Sequence, residues 1–161
     1  MVFNTLVFGL SYAAVIGAMI ILSYRANPRL WLHDYPQEMQ ALVPPKTADE
    51  IRQMRLWAIP VTGTMVLAPL GFALWHHPVQ DFSYLGAFIV IWTVMQVFNL
   101  FDLIVLDWIV TVWWRPPWVQ LEGAEHMRHH DNLAFHFRGF LAGLPIAVIG
   151  AAALSLPFIW L

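Results

Sequence analysis

The sequence predicts an all-α fold: a bundle of four transmembrane helices with both termini outside and a short amphipathic cytoplasmic helix before the second span. Three observations carry this. Of 161 residues, 60% are hydrophobic and 11% charged, where a water-soluble domain is usually about a quarter charged. Four apolar runs, 2–24, 56–75, 82–114 and 139–161, each reach the roughly 20 residues that cross ~30 Å of hydrocarbon. All 8 Lys and Arg fall in two of the connections between those runs.

Taken in order, the first span covers 2–24. It has no basic stretch ahead of it and no small-x-small cleavage pattern before Arg25, so it reads as a retained helix rather than a signal peptide. Arg25, Arg29, Lys46, Arg52 and Arg55 follow in loop 25–55. Basic loops are retained in the cytoplasm, which fixes the expected orientation. The loop divides at Pro44-Pro45, where the backbone cannot continue a helix. Thr47, followed three residues later by Glu50, then forms the pattern of a capping box and starts the amphipathic helix that runs into the second span.

The second span covers 56–75 and contains Pro60 and Pro69, where kinks are expected. His76–Asp81 makes the short outer connection. The third span, 84–112, carries Asn99, Asp102 and Asp107. Loop 113–136 holds Arg115 and Arg128 and is cytoplasmic by the same rule. The fourth span, 137–160, begins with Arg138 and contains Pro145 and Pro157. Trp57, Trp113, Trp114 and Trp118 mark inner boundaries, and Trp75, Tyr84 and Trp160 outer ones. The chain is read as one membrane domain, 1–161, placed multi-pass in the inner (plasma) membrane with the lipid bilayer as its first partner.

Helices in lipid associate where small residues let backbones approach. Gly9, Ala13 and Gly17 form such a stripe in the first span, and Gly139, Gly143, Ala147, Ala151 and Ser155 in the fourth. The stripes serve either packing within the chain or a seam of a homo-oligomer or larger membrane complex.

An acid inside the hydrocarbon is costly, so it is expected to be paired, protonated or facing water. At ~100° per residue, Asp102 lies ~60° to one side of Asn99 and Asp107 ~80° to the other, so all three fit one broad face. With His136 and Arg138 at the start of the fourth span they compose a candidate buried polar cluster. Asp107 with Arg138 is expected as an orientation lock; the alternative is a site for a substrate, proton or ion.

A second cluster is histidine-rich: Glu122, Glu125, His126, His129 and His130. On a helix, Glu122, His126 and His130 share one face, with Glu125 and His129 adjacent, a donor set suited to a single zinc or iron. The bland alternative is a solvated surface cluster with no cofactor. His126-Met-Arg-His129-His130 is similar to one histidine box of membrane fatty-acid desaturases and hydroxylases. That resemblance implies a dimetal oxygenase, yet the chain has 7 histidines in all and no separate second box. Buried haem fits poorly, because no histidine lies near the middle of a span.

Composition excludes other classes. A formal charge of −2 leaves no nucleic-acid footprint. The absence of cysteine excludes disulfides, thiolate metal sites and a cysteine nucleophile. The runs Phe98-Asn-Leu-Phe-Asp102 to Asp107-Trp108, Glu122-Gly123 and Phe135-His-Phe-Arg-Gly-Phe140 together resemble a family of uncharacterised small bacterial four-helix integral membrane proteins. That resemblance implies the architecture and no activity. The expectation is thus a membrane protein without enzymatic activity, packed as a subunit or small oligomer. The alternatives are a binder or transporter using Asn99, Asp102, Asp107 and Arg138, or a metal-dependent enzyme acting on a lipid-like substrate.

Overall fold

The computed structural model describes residues 1–124 and 133–161. Among these the secondary structure is entirely helical. Four helices are long and apolar enough to cross a membrane: α1 (Val2–Ala26), α3 (Ala48–Gln80), α4 (Tyr84–Phe101) with its continuation to Trp114, and α5 (Leu133–Leu154). The short α2 (Gln37–Gln40) lies in the first connection. α4 is the central helix and packs against α1, α3 and α5.

α3 starts where the sequence places it. The Thr47 side chain accepts from the Glu50 amide at 3.2 Å, and Glu50 Oε2 accepts from the Thr47 amide at 2.7 Å. Together they satisfy two of the donors that a helix start leaves unpaired. The far end of α3 differs from expectation. The helix runs through Pro60, Pro69 and Pro78 to Gln80, absorbing most of the expected His76–Asp81 turn. A proline removes one i→i−4 bond and the rest of the ladder persists. The helix stops at Asp81, whose φ of 46° is left-handed and whose amide reaches back to the His77 carbonyl at 2.8 Å.

One freed carbonyl is visibly satisfied. Pro69 has no N–H for the Met65 carbonyl, and the Tyr12 hydroxyl of α1 donates to that oxygen at 3.2 Å. Around this contact the Phe8 and Phe72 rings stack at 4.2 Å and Tyr12 meets Phe98 edge-on at 6.0 Å. Tyr12, Ile16, Val61, Phe72, Val90 and Val94 form the core there.

The small-residue stripes are taken up largely within the chain. A Cβ on Gly9 would stand 3.1 Å from Val97 Cβ, and one on Gly17 would stand 2.7 Å from the Phe101 ring. Ala13 is fully buried, as is Ala151, and Ala147 nearly so. Gly139 is the exception, with open space where its Cβ would be.

The fourth span is shorter as a helix than 137–160. α5 ends at Leu154, where Ser155 donates its hydroxyl to the Ala151 carbonyl at 2.7 Å. Pro157 cannot continue the ladder, and the chain tightens into a 3₁₀ turn, Leu156–Ile159.

The first connection, expected as a loop, is folded. A 3₁₀ turn (Pro28–Asp34) and α2 bring Leu32, Tyr35, Met39 and Val43 together with Leu121 and Ala124 in a second small core. Arg29 holds it to α3: its Nε donates to Glu50 Oε1 at 2.6 Å, and Nη2 donates to the Pro44 carbonyl at 2.9 Å. This second core caps the basic end of the bundle.

Candidate polar site at the basic end of the bundle

Beyond Phe101, α4 changes winding. Asp102–Trp114 is a π-helix: the Arg115 amide reaches back to the Val110 carbonyl at 2.9 Å, and the Thr111 hydroxyl donates to the Leu106 carbonyl at 2.9 Å, each spanning five residues. On a regular α-helix Asp102 and Asp107 would be ~140° apart. In a π-helix residues five apart become neighbours along the axis, as residues four apart are in an α-helix. The altered winding thus brings the two acids toward one face. Such widened turns are rare and concentrate at functional positions.

Asp107 meets α5. The His136 Nδ1 lies 3.0 Å from Asp107 Oδ1, with the imidazole 11% and the carboxylate 27% exposed. This corrects the expected Asp107–Arg138 lock. Residues two apart on a helix point ~200° apart, so only one of His136 and Arg138 can face α4. His136 does, and Arg138 is exposed.

Asn99, two turns toward the bundle centre from Asp107, makes a different bridge. Its Nδ2 donates to the Phe140 carbonyl at 3.2 Å and to Gln96 Oε1 at 3.3 Å. Gly143 permits this approach, since a Cβ there would collide with the Asn99 amide. Asp102 is half-buried, and among the described residues no hydrogen bond or ion pair engages its carboxyl. The predicted polar cluster therefore divides into an Asn99 bridge and an Asp107–His136 pair.

That pair opens onto a cavity of about 50 Å³. Its polar lining is Tyr24, Asp34, Tyr35, Asp107, Thr111 and His136, closed by Pro36 and Phe135. One water needs roughly 10–15 Å³ of such space, so the cavity has room for a very few. α1 contributes Tyr24, which stacks on Trp31 at 6.1 Å and meets Tyr35 edge-on at 6.4 Å. The Tyr35 hydroxyl donates to the Val119 carbonyl at 2.8 Å, and burial pushes that phenol above its ordinary pKa. Asp34 stands half exposed, 3.3 Å from His33. Burial on its protein side raises its carboxyl above the usual range; His33 and Lys46 oppose this, and the charge of Asp107 adds to it.

Tyr24, Asp34, Tyr35 and Thr111 were not singled out in the sequence. The available signal was Asp34-Tyr35 within loop 25–55, but nothing in its spacing showed that the loop folds back toward Asp107.

The histidine cluster cannot be placed in the same way, because Glu125, His126, His129 and His130 lie outside the described residues. Glu122 is exposed in a turn whose Gly123 has a φ of 90°, a conformation that favours glycine. Among the described residues no three His, Asp or Glu side chains are gathered as a metal site.

No family model, no curated protein and no solved structure matches the chain.

Proposed function

We propose that the chain is a non-enzymatic integral membrane protein of four spans, with both termini outside, that binds a proton at the Asp107–His136 pair on its cytoplasmic side. The placement of every Lys and Arg in loops 25–55 and 113–136, or at the foot of α5, supports the orientation.

The single observation that carries the binding reading is the small polar cavity. It joins an imidazole and two carboxylates with two phenols and a hydroxyl, groups that exchange protons through water over hydrogen-bond distances. Among the described residues, the cavity has the size of a few water molecules. Among the described residues, two clusters elsewhere in the bundle are built of aromatic and aliphatic side chains.

Infrared difference spectra of the protein between acidic and mildly basic pH test this reading. The expected signal is a carboxyl band paired with an imidazole band, both altered in Asp107→Asn. Identical spectra from the wild type and Asp107→Asn contradict it.

A further inference from the structure

α3 presents an unpartnered face that combines charge with a groove. Arg52, Leu56, Ile59, Gly63 and Leu67 follow the i, i+4, i+7, i+11, i+15 spacing of one helix side. Arg55 lies beside Arg52, and both guanidinium groups are exposed. Among the described residues neither is in an ion pair. The nearby carboxylate that could neutralise them, Glu50, is held at 2.6 Å by Arg29, and no ion pair joins exposed Asp49 to either arginine.

Below the arginines the surface is notched. Pro60, Gly63, Thr64, Leu67 and Ala68 line an open groove of about 460 Å³. Gly63 creates the depth, with nothing within 4 Å of where a Cβ would stand. Pro60, also in the lining, is exposed. From Arg52 to Gly63 is eleven residues, or about 16 Å of rise, close to the ~15 Å depth of one leaflet's hydrocarbon.

We infer that this face of α3 is a binding site for an anionic phospholipid, with its phosphate on Arg52 and Arg55 and one acyl chain in the Gly63 groove. The charge complementarity selects the occupant. Arginine forks match phosphate oxygens in bidentate geometry, and basic residues at the headgroup level of a spanning helix attract anionic lipid. The apolar groove beneath supplies what a soluble phosphate could not use. A zwitterionic lipid would bring its own cation beside the two guanidinium groups.

Native mass spectrometry of the full chain in mild detergent provides the test, with phosphatidylglycerol and phosphatidylcholine of matched chains supplied in equal amounts. Phosphatidylglycerol adducts should exceed phosphatidylcholine adducts several-fold. Arg52→Gln/Arg55→Gln should bring the two toward parity, Arg52→Lys/Arg55→Lys should keep only part of the preference, and Gly63→Leu should reduce both adducts. Helicity and elution volume identify variants that retain the fold. A preference unchanged by Arg52→Gln/Arg55→Gln in folded protein overturns the headgroup site. Adducts unchanged by Gly63→Leu, or equal retention of soluble glycerol phosphate, overturn the acyl groove.

Discussion

The Tyr12 hydroxyl donates to the Met65 carbonyl at 3.2 Å, the oxygen that Pro69 leaves without its helical N–H. A proline kept inside an apolar helix thus has its cost met by a neighbouring helix, as a medium without water requires. Tyr12→Phe should destabilise the bundle by about 1 kcal/mol. Pro69→Ala restores a backbone donor for Met65, so the loss from Tyr12→Phe should be smaller in that background. Thermal unfolding of the four proteins in detergent gives the coupling directly. Additive losses would show that the hydroxyl is not serving this carbonyl.

Gly143 and Gly139 stand one turn apart on α5 and should differ in their response. A side chain at 143 collides with Asn99, while the space at 139 is open. Gly143→Leu should therefore lower folded yield and separate Asn99 from the Phe140 carbonyl, at about 2 kcal/mol for overpacking with a lost hydrogen bond. Gly139→Leu should be close to neutral. Equal yields for the two variants, measured as monodisperse protein after extraction, would count against the α4–α5 contact.

Arg29 contacts Glu50 through Nε at 2.6 Å and Nη2 at 3.3 Å, and donates to the Pro44 and Pro45 carbonyls at 2.9 and 3.2 Å. A lysine cannot reproduce that fork. Arg29→Lys should loosen the folded connection almost as much as Arg29→Gln, by about 2 kcal/mol. Limited proteolysis within 28–46 reads this out, and cleavage as slow in Arg29→Lys as in the wild type would refute it.

Asp34 should make stability depend on pH. Its carboxyl is raised in the folded protein, first by burial and further by Asp107, against the pull of His33 and Lys46. The folded state then holds a proton that the unfolded state releases at lower pH. This contribution is greatest below the ordinary carboxylate pKa and declines as pH rises through the folded value. Asp34→Asn should flatten that part of the profile of unfolding temperature against pH. A variant profile parallel to the wild type throughout the acidic range would exclude Asp34 as its source.

The four apolar helices were legible because length and hydropathy need only local composition, and the Thr47–Glu50 capping box because its residues are three apart. The Asp107 partner was not. Both His136 and Arg138 begin the same span, and only the rotation of α5 against α4, set by Gly143 and Asn99, decides which one turns inward. The π-winding of Asp102–Trp114 was hidden for a related reason: its side chains are as apolar as those of a regular helix. Asp34 and Tyr35 lie more than seventy residues from Asp107, and only the burial of Leu32, Met39 and Val43 against Leu121 carries them to the cavity.

The most direct measurement is the ¹⁵N spectrum of a labelled His136 imidazole, assigned by its loss in His136→Gln and compared between the wild type and Asp107→Asn. Removing the carboxylate that lies 3.0 Å from His136 Nδ1 should move the Nδ1 resonance, with folded yield retained. An Nδ1 resonance unmoved in folded Asp107→Asn would contradict a proton held between the two residues.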